Sequence, residues 1–135
     1  MKRWLALMIM ITISAAVMLL SSHVRSQSRK KREADYQSAL RVYSEDLKPG
    51  WTRKEVEDYL RANGAKFTQM CCIEERSAFA DLVKVGEESA PWYCSEKSVH
   101  VAFEFAAAEP HQPWEAYDTD VLRRITIFHQ LGGCL

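Results

Sequence analysis

The stretch Leu47-Lys-Pro-Gly50-Trp51-Thr52-Arg-Lys-Glu55-Val56-Glu-Asp-Tyr59-Leu60-Arg-Ala-Asn-Gly64 stops one helix, starts a second and ends it. Pro49-Gly50 breaks whatever helix precedes it. Thr52 stands as an N-cap whose hydroxyl can accept from the Glu55 N–H, while the Glu55 carboxylate reaches back to the Thr52 N–H. That is a capping box, and it satisfies two otherwise orphaned donors. Trp51 and Val56 occupy the two positions of a hydrophobic staple. The spacing predicts a helix over Arg53–Ala62 with Val56, Tyr59 and Leu60 on one face and Gly64 as its C′ glycine.

Upstream, Tyr36, Ala39, Leu40, Tyr43 and Leu47 recur at helical spacing, so a first helix is expected from about Ala34 to Leu47. Two short helices cannot bury their apolar stripes against each other alone, and strands must supply the opposing surface. The clearest is Val99–Phe105, in which Val99, Val101, Phe103 and Phe105 share one face and His100, Ala102 and Glu104 the other. Leu122–His129 is a second, with Ile125 and Ile127 inward and Arg124, Thr126 and Phe128 outward. Ala78–Val85 is a third, with apolar residues on both faces. The expected fold is α+β: two helices packed on a three-stranded antiparallel meander.

Formal neutrality hides an asymmetry. Residues 1–32 carry seven Lys or Arg and no acid, which leaves the remainder with eleven basic against eighteen acidic side chains. A domain this acidic would repel a phosphate backbone, and no nucleic-acid partner is expected. Lys2 and Arg3 precede an uncharged run from Trp4 to Leu20, about 25 Å long as a helix against a hydrocarbon core of ~30 Å. Leu20-Ser21-Ser22 offers a poor cleavage site, and no lipobox cysteine follows. The expected organisation is therefore a transmembrane helix at 1–22 acting as membrane anchor (signal-anchor, with a signal peptide as the alternative), a basic juxtamembrane stalk at 23–33, and an α+β domain at 34–135. A literal count of flanking charge would keep the domain in the cytoplasm. The Lys-Arg-apolar order is that of an export signal, and an extracytoplasmic domain on a single-pass anchor is the reading adopted.

The order helix–helix–strand–strand–strand, together with Leu47-x-x-Gly50-x-Thr52-Arg53-x-x-Val56, resembles the SmpA/OmlA-like (BamE-like) domain. That is the fold of the small lipoprotein subunit of the outer-membrane β-barrel assembly machine, and the same arrangement occurs in tandem in β-lactamase inhibitory proteins. The motif likeness covers about twenty residues, the architectural one roughly Ala34 to Leu135. The resemblance implies an envelope protein acting through protein–protein contact, without an active site. The lipidated cysteine of the family is missing here and the cysteine-bearing loops lie outside its pattern, so an assembly-machine role is not carried over.

Chemistry-bearing residues are few. In an antiparallel meander Cys94 lies just before the second strand and Cys134 just after the third, at the same end of the sheet, so the two are placed to form a disulfide. Cys71 and Cys72 fall at the opposite end and are left as free thiols, a vicinal pair or partners of another loop. With His100, His111 and His129 the cysteines include zinc-ligand types, but without C-x-x-C or H-x₃₋₅-H spacing. A small redox or metal-binding domain is the alternative function; no resident cofactor or metal is expected. No nucleophile elbow, P-loop, dinucleotide fingerprint or H-E-x-x-H is present, and His100 and Glu104 stand roughly 13 Å apart on one strand face, so the chain is not read as an enzyme. Asp118 and Asp120 read as loop caps.

Two long loops, 86–98 and 106–121, carry Trp92, Tyr93, Trp114 and Tyr117, residue types that dominate binding energy at interfaces. With Leu82, Ala102 and Phe128 on the outer sheet face, ringed by charge, they make the expected partner-binding surface. The functional expectation is a membrane-anchored, non-catalytic protein-interaction module of the cell envelope.

Overall fold

The computed structural model describes the backbone of all residues except Met1, 72–78 and 110–114, and the side chains of these except at 2–9, 11–13 and 15–16. The elements are α1 (Lys2–Asp46), α2 (Arg53–Ala62), β1 (Phe67–Met70), β2 (Ala80–Glu88), β3 (Glu96–Ala106) and β4 (Val121–Gly132). The chain divides into two units, Met1–Asp35 and Tyr36–Leu135.

In the first unit every described residue is helical, and the described side chains are exposed. The stretch read as a polar stalk, 23–33, is therefore helix. The reason is local: neither Gly nor Pro occurs before Pro49, and the Arg, Lys, Gln and Ser residues of the basic stretch are adequate helix formers without an apolar face. The structure does not support the expected single-pass anchor. Among the described residues no helix is long and apolar enough to cross a membrane.

In the second unit the sheet has four strands, not three, in the order β1-β2-β3-β4, each antiparallel to its neighbour. The additional strand, β1, is a four-residue edge too short to show an alternating pattern. β3 and β4 contain the predicted strands and extend beyond them, whereas β2 starts at Ala80, later than the predicted Ala78–Val85, and runs on to Glu88; Ala78 lies outside the described residues. Leu47, Val56, Leu60, Val83, Val101, Phe103, Phe105 and Leu122 form the buried core between helices and sheet. Ala39, Leu40 and Tyr43 of α1 and Ile125 and Ile127 of β4 pack against it. Tyr43 meets Phe103 edge to face, ring centroids 5.3 Å apart.

The stretch around Thr52 folds as its chemistry dictates. Thr52 Oγ1 accepts from the Glu55 N–H at 3.3 Å, and Glu55 Oε2 accepts from the Thr52 N–H at 2.7 Å. Val56 is fully buried, whereas Trp51 remains 37% exposed. At the other end Gly64, at φ +70°, donates to the Arg61 carbonyl and Ala65 to that of Leu60, a Schellman ending. The turn is also stitched to the start of β4. Gly50 N–H donates to the Leu122 carbonyl at 2.9 Å, Leu122 N–H to that of Trp51 at 2.7 Å, and Arg53 N–H to that of Asp120 at 2.7 Å. Tyr59 donates to the Asp46 carboxylate, tying α2 to the end of α1 and pushing the phenol up to about 12.

The outer sheet face differs from the solvated surface expected. His100, Ala102 and Glu104 are all buried, as is Leu82. β3 is an inner strand, and cross-strand partners close over it: Lys84 and Phe128 lie opposite His100, Leu82 and Thr126 opposite Ala102, and Arg124 opposite Glu104. Arg124 Nε and Thr126 Oγ1 donate to the Glu104 carboxylate at 2.8 and 3.0 Å. Ala80, Leu82 and Ala102 form a second small apolar cluster with Met70 and Phe128.

Candidate interaction surface

The residues expected to form one binding surface occupy three separate places. Leu82 and Ala102 are inside the outer-face cluster and Phe128 is half-buried against it, so the first two cannot be displayed to a partner. Tyr117 lies near the start of β4, whereas Trp92 and Tyr93 lie between β2 and β3. An eleven-residue strand spans roughly 35 Å, which places these two loops at opposite ends of the sheet. Trp114 lies outside the described residues.

The Trp92–Tyr93 end is the strongest of the three. Pro91 accepts from the Cys94 N–H at 3.0 Å, so Pro91-Trp92-Tyr93-Cys94 is a hydrogen-bonded turn with the two aromatics at its centre. Trp92 is 91% exposed and Tyr93 43%, and their rings meet edge-on at 5.8 Å. The final residues of the chain brace this turn. Cys94 and Cys134, which the meander places at one end of the sheet, are disulfide-bonded. Leu135 N–H donates to the Tyr93 carbonyl at 2.9 Å, and Ser95 N–H and Oγ both donate to that of Gly132, at 3.1 Å each. Gly133, at φ +58°, approaches Ser95 so closely that a Cβ there would fall 2.1 Å from its hydroxyl. Leu131 and Leu135 add exposed apolar surface nearby. The result is a pair of aromatic anchors on a covalently held turn, which lowers the ordering cost of binding.

The rim is charged. Lys97 pairs with Glu88 at 2.6 Å, His129 Nδ1 stands 3.8 Å from the same carboxylate, and Lys84 pairs with Glu87 on β2. Among the described residues no group of three or more His, Cys, Asp or Glu side chains could hold a metal ion. Cys71 is also disulfide-bonded; Cys72 and His111 lie outside the described residues.

Sequence reasoning missed a cluster of fully buried charges in the domain. Arg53, Asp81 and Asp120 are each at most 1% exposed. Arg53 Nη1 pairs with Asp81 Oδ1 at 2.7 Å, and Nη2 lies 3.4 Å from Asp120 Oδ2 and donates to the Phe79 carbonyl. The guanidinium also covers the Phe105 ring, 4.1 Å from its centroid. A signal was present: Arg53 and Glu57 continue the Val56–Leu60 stripe at helical spacing, so two charges were already committed to the packed face of α2. Asp120 keeps its expected capping role as well, its Oδ2 accepting from the Tyr117 N–H at 3.1 Å.

Comparisons with protein-family models, curated proteins and solved structures find no match to this chain.

Proposed function

We propose that this chain is a non-catalytic interaction module of the cell envelope that engages a protein partner through the Trp92–Tyr93 turn. The observation that carries this reading is the 91% exposure of Trp92 on a turn held by a disulfide. A soluble surface rarely spends a tryptophan this way, and tryptophan and tyrosine are the side chains that most often anchor an interface. The Cys94–Cys134 bond favours an oxidising compartment, and hence an extracytoplasmic domain. The uncharged run Trp4–Leu20 supports a membrane tether on sequence grounds. The SmpA/OmlA-like resemblance points to the same class of activity.

A photoreactive phenylalanine analogue at position 92 of the full chain, expressed in cells, tests the surface. The expected result is a discrete crosslinked protein absent when the analogue replaces Lys48 in the turn between the helices. Equal crosslinking from both positions, or none, overturns the assignment. Paired C-terminal reporters, one active only outside the cytoplasm and one only within, test the compartment separately.

A further inference from the structure

The basic stretch of α1 carries its arginines on one face. Arg25, Arg29 and Arg32 recur at i, i+4 and i+7, whereas Lys30 and Lys31 project to other sides of the helix. On the side opposite Arg25, His23 and Gln27 are engaged with each other at 3.2 Å. The arginine face is grooved. Met18, Ser21, Ser22, Arg25, Ser26 and Arg29, all at helical spacing, line an open groove of about 560 Å³. Its two ends differ chemically. One begins at Met18, 72% exposed and inside the uncharged run Trp4–Leu20. The other ends on Arg25 and Arg29, both exposed and with no hydrogen-bond or ion-pair partner among the described residues. Between them Ser21 Oγ donates to the Val17 and Met18 carbonyls at 2.9 and 3.0 Å, and Ser22 Oγ to that of Leu19 at 2.8 Å. These hydroxyl protons are spent on the helix itself, which leaves the two guanidiniums as the charged donors of the groove. The first acid in the chain is Glu33, a full turn beyond Arg29.

We propose that this face binds an anionic phospholipid at a bilayer surface, its phosphate held between Arg25 and Arg29 and its acyl chain lying toward Met18. Guanidinium forks match phosphate oxygens bidentately and are more weakly hydrated than an ammonium, so they give up water readily at such a surface. Basic residues that follow an uncharged helical run lie at the level of the head groups wherever the helix meets a bilayer. Free phosphate would use the basic end of the groove alone. A lipid uses both ends, the charge and the apolar surface beside it, and is therefore the occupant this face fits. The site needs a bilayer surface and not a span, and it stands independently of the partner proposed for the Trp92–Tyr93 turn.

The test follows the arginine side-chain Nε–H resonances of the full chain in maltoside micelles, titrated with lysophosphatidylglycerol and, separately, with lysophosphatidylcholine. Arg25 and Arg29 should shift and saturate with the anionic lipid at concentrations where the zwitterionic one does nothing, and Arg41, an exposed arginine later in α1, should stay still. Equal titrations with the two lipids, or an equal response at Arg41, overturn the proposal. Arg25→Gln should weaken the affinity read at Arg29 about fivefold, the worth of one cation near an anionic surface. Lys30→Gln with Lys31→Gln removes two charges but none from the groove, and should weaken it less. A loss from the lysine pair as large as that from Arg25→Gln would show diffuse attraction without a site. All these positions are exposed on the helix, so the substitutions leave the fold intact. If inorganic phosphate at equal concentration produced the same shifts, the groove would be a free-anion site and the lipid assignment would fall.

Discussion

Gly86 of β2 lies directly beneath the ring of Tyr36 in α1, so close that a Cβ on the glycine would fall 2.6 Å from Tyr36 Cε1. Tyr36 is only 4% exposed, and the glycine sits where the β2–β3 register shifts, between Lys84 and Gly86. The phenol ring thus occupies the space a side chain would take. Gly86→Ala should push the ring aside and cost about 1–3 kcal/mol. In a Tyr36→Ala background the same change should cost far less, giving a coupling energy of roughly 1 kcal/mol or more in a denaturation cycle. Additive losses would show that the ring and the glycine do not share that space.

The disulfide closes a loop of forty residues that contains β3 and β4. Reducing it, or replacing Cys94 and Cys134 by Ser, should lower stability by about 2–4 kcal/mol, chiefly by freeing the unfolded chain. Urea midpoints with and without reductant measure this. Trp92→Ala, by contrast, removes a side chain that water already surrounds and should change stability by less than about 0.5 kcal/mol.

What was legible in the sequence was what local chemistry decides. Thr52, Glu55 and Gly64 specify both ends of α2 within a dozen residues, and Cys94 and Cys134 followed from the direction in which a meander runs. β1 was not legible, because Phe67–Met70 is too short an edge to show a period. That α1 runs unbroken through 23–33 was hidden by a basic stretch without an apolar stripe. Alternation along β3 gave the side each residue faces, but not whether that side is covered; Ala102 and Glu104 are buried by neighbours from β2 and β4. Arg53 finds Asp81 and Asp120 across 28 and 67 positions, a distance over which no local pattern speaks.

The capping box carries its own pH dependence. Hydrogen bonds from the Thr52 N–H and hydroxyl hold the Glu55 carboxyl below its ordinary value. A depressed acid contributes above its unfolded value, and that contribution is lost as pH falls through the folded one. Thr52→Ala should cost ~1 kcal/mol at neutral pH. The gap between variant and wild type should narrow on acidification, as thermal melts from pH 7 to pH 3 would record. A constant gap would assign the loss to helix propensity alone.

His100 and Asp81 should tilt the stability profile in opposite directions. Burial, aided by Lys84, lowers the His100 value, and its Nδ1 has no partner among the described residues. The folded state therefore prefers neutral imidazole. Its contribution is complete above the ordinary histidine value of 6.5 and is lost as pH falls from there through the depressed one. Asp81, raised to about 7, acts in the reverse sense, losing stability as pH climbs from its ordinary range. Wild-type stability between pH 5.5 and pH 8 should consequently be flatter than that of either single variant. His100→Gln should leave a profile that falls with pH, and Asp81→Asn one that rises. Urea midpoints at four or five pH values distinguish the cases, and two variants tilting the same way would refute the pairing of opposed groups on the two faces of one sheet.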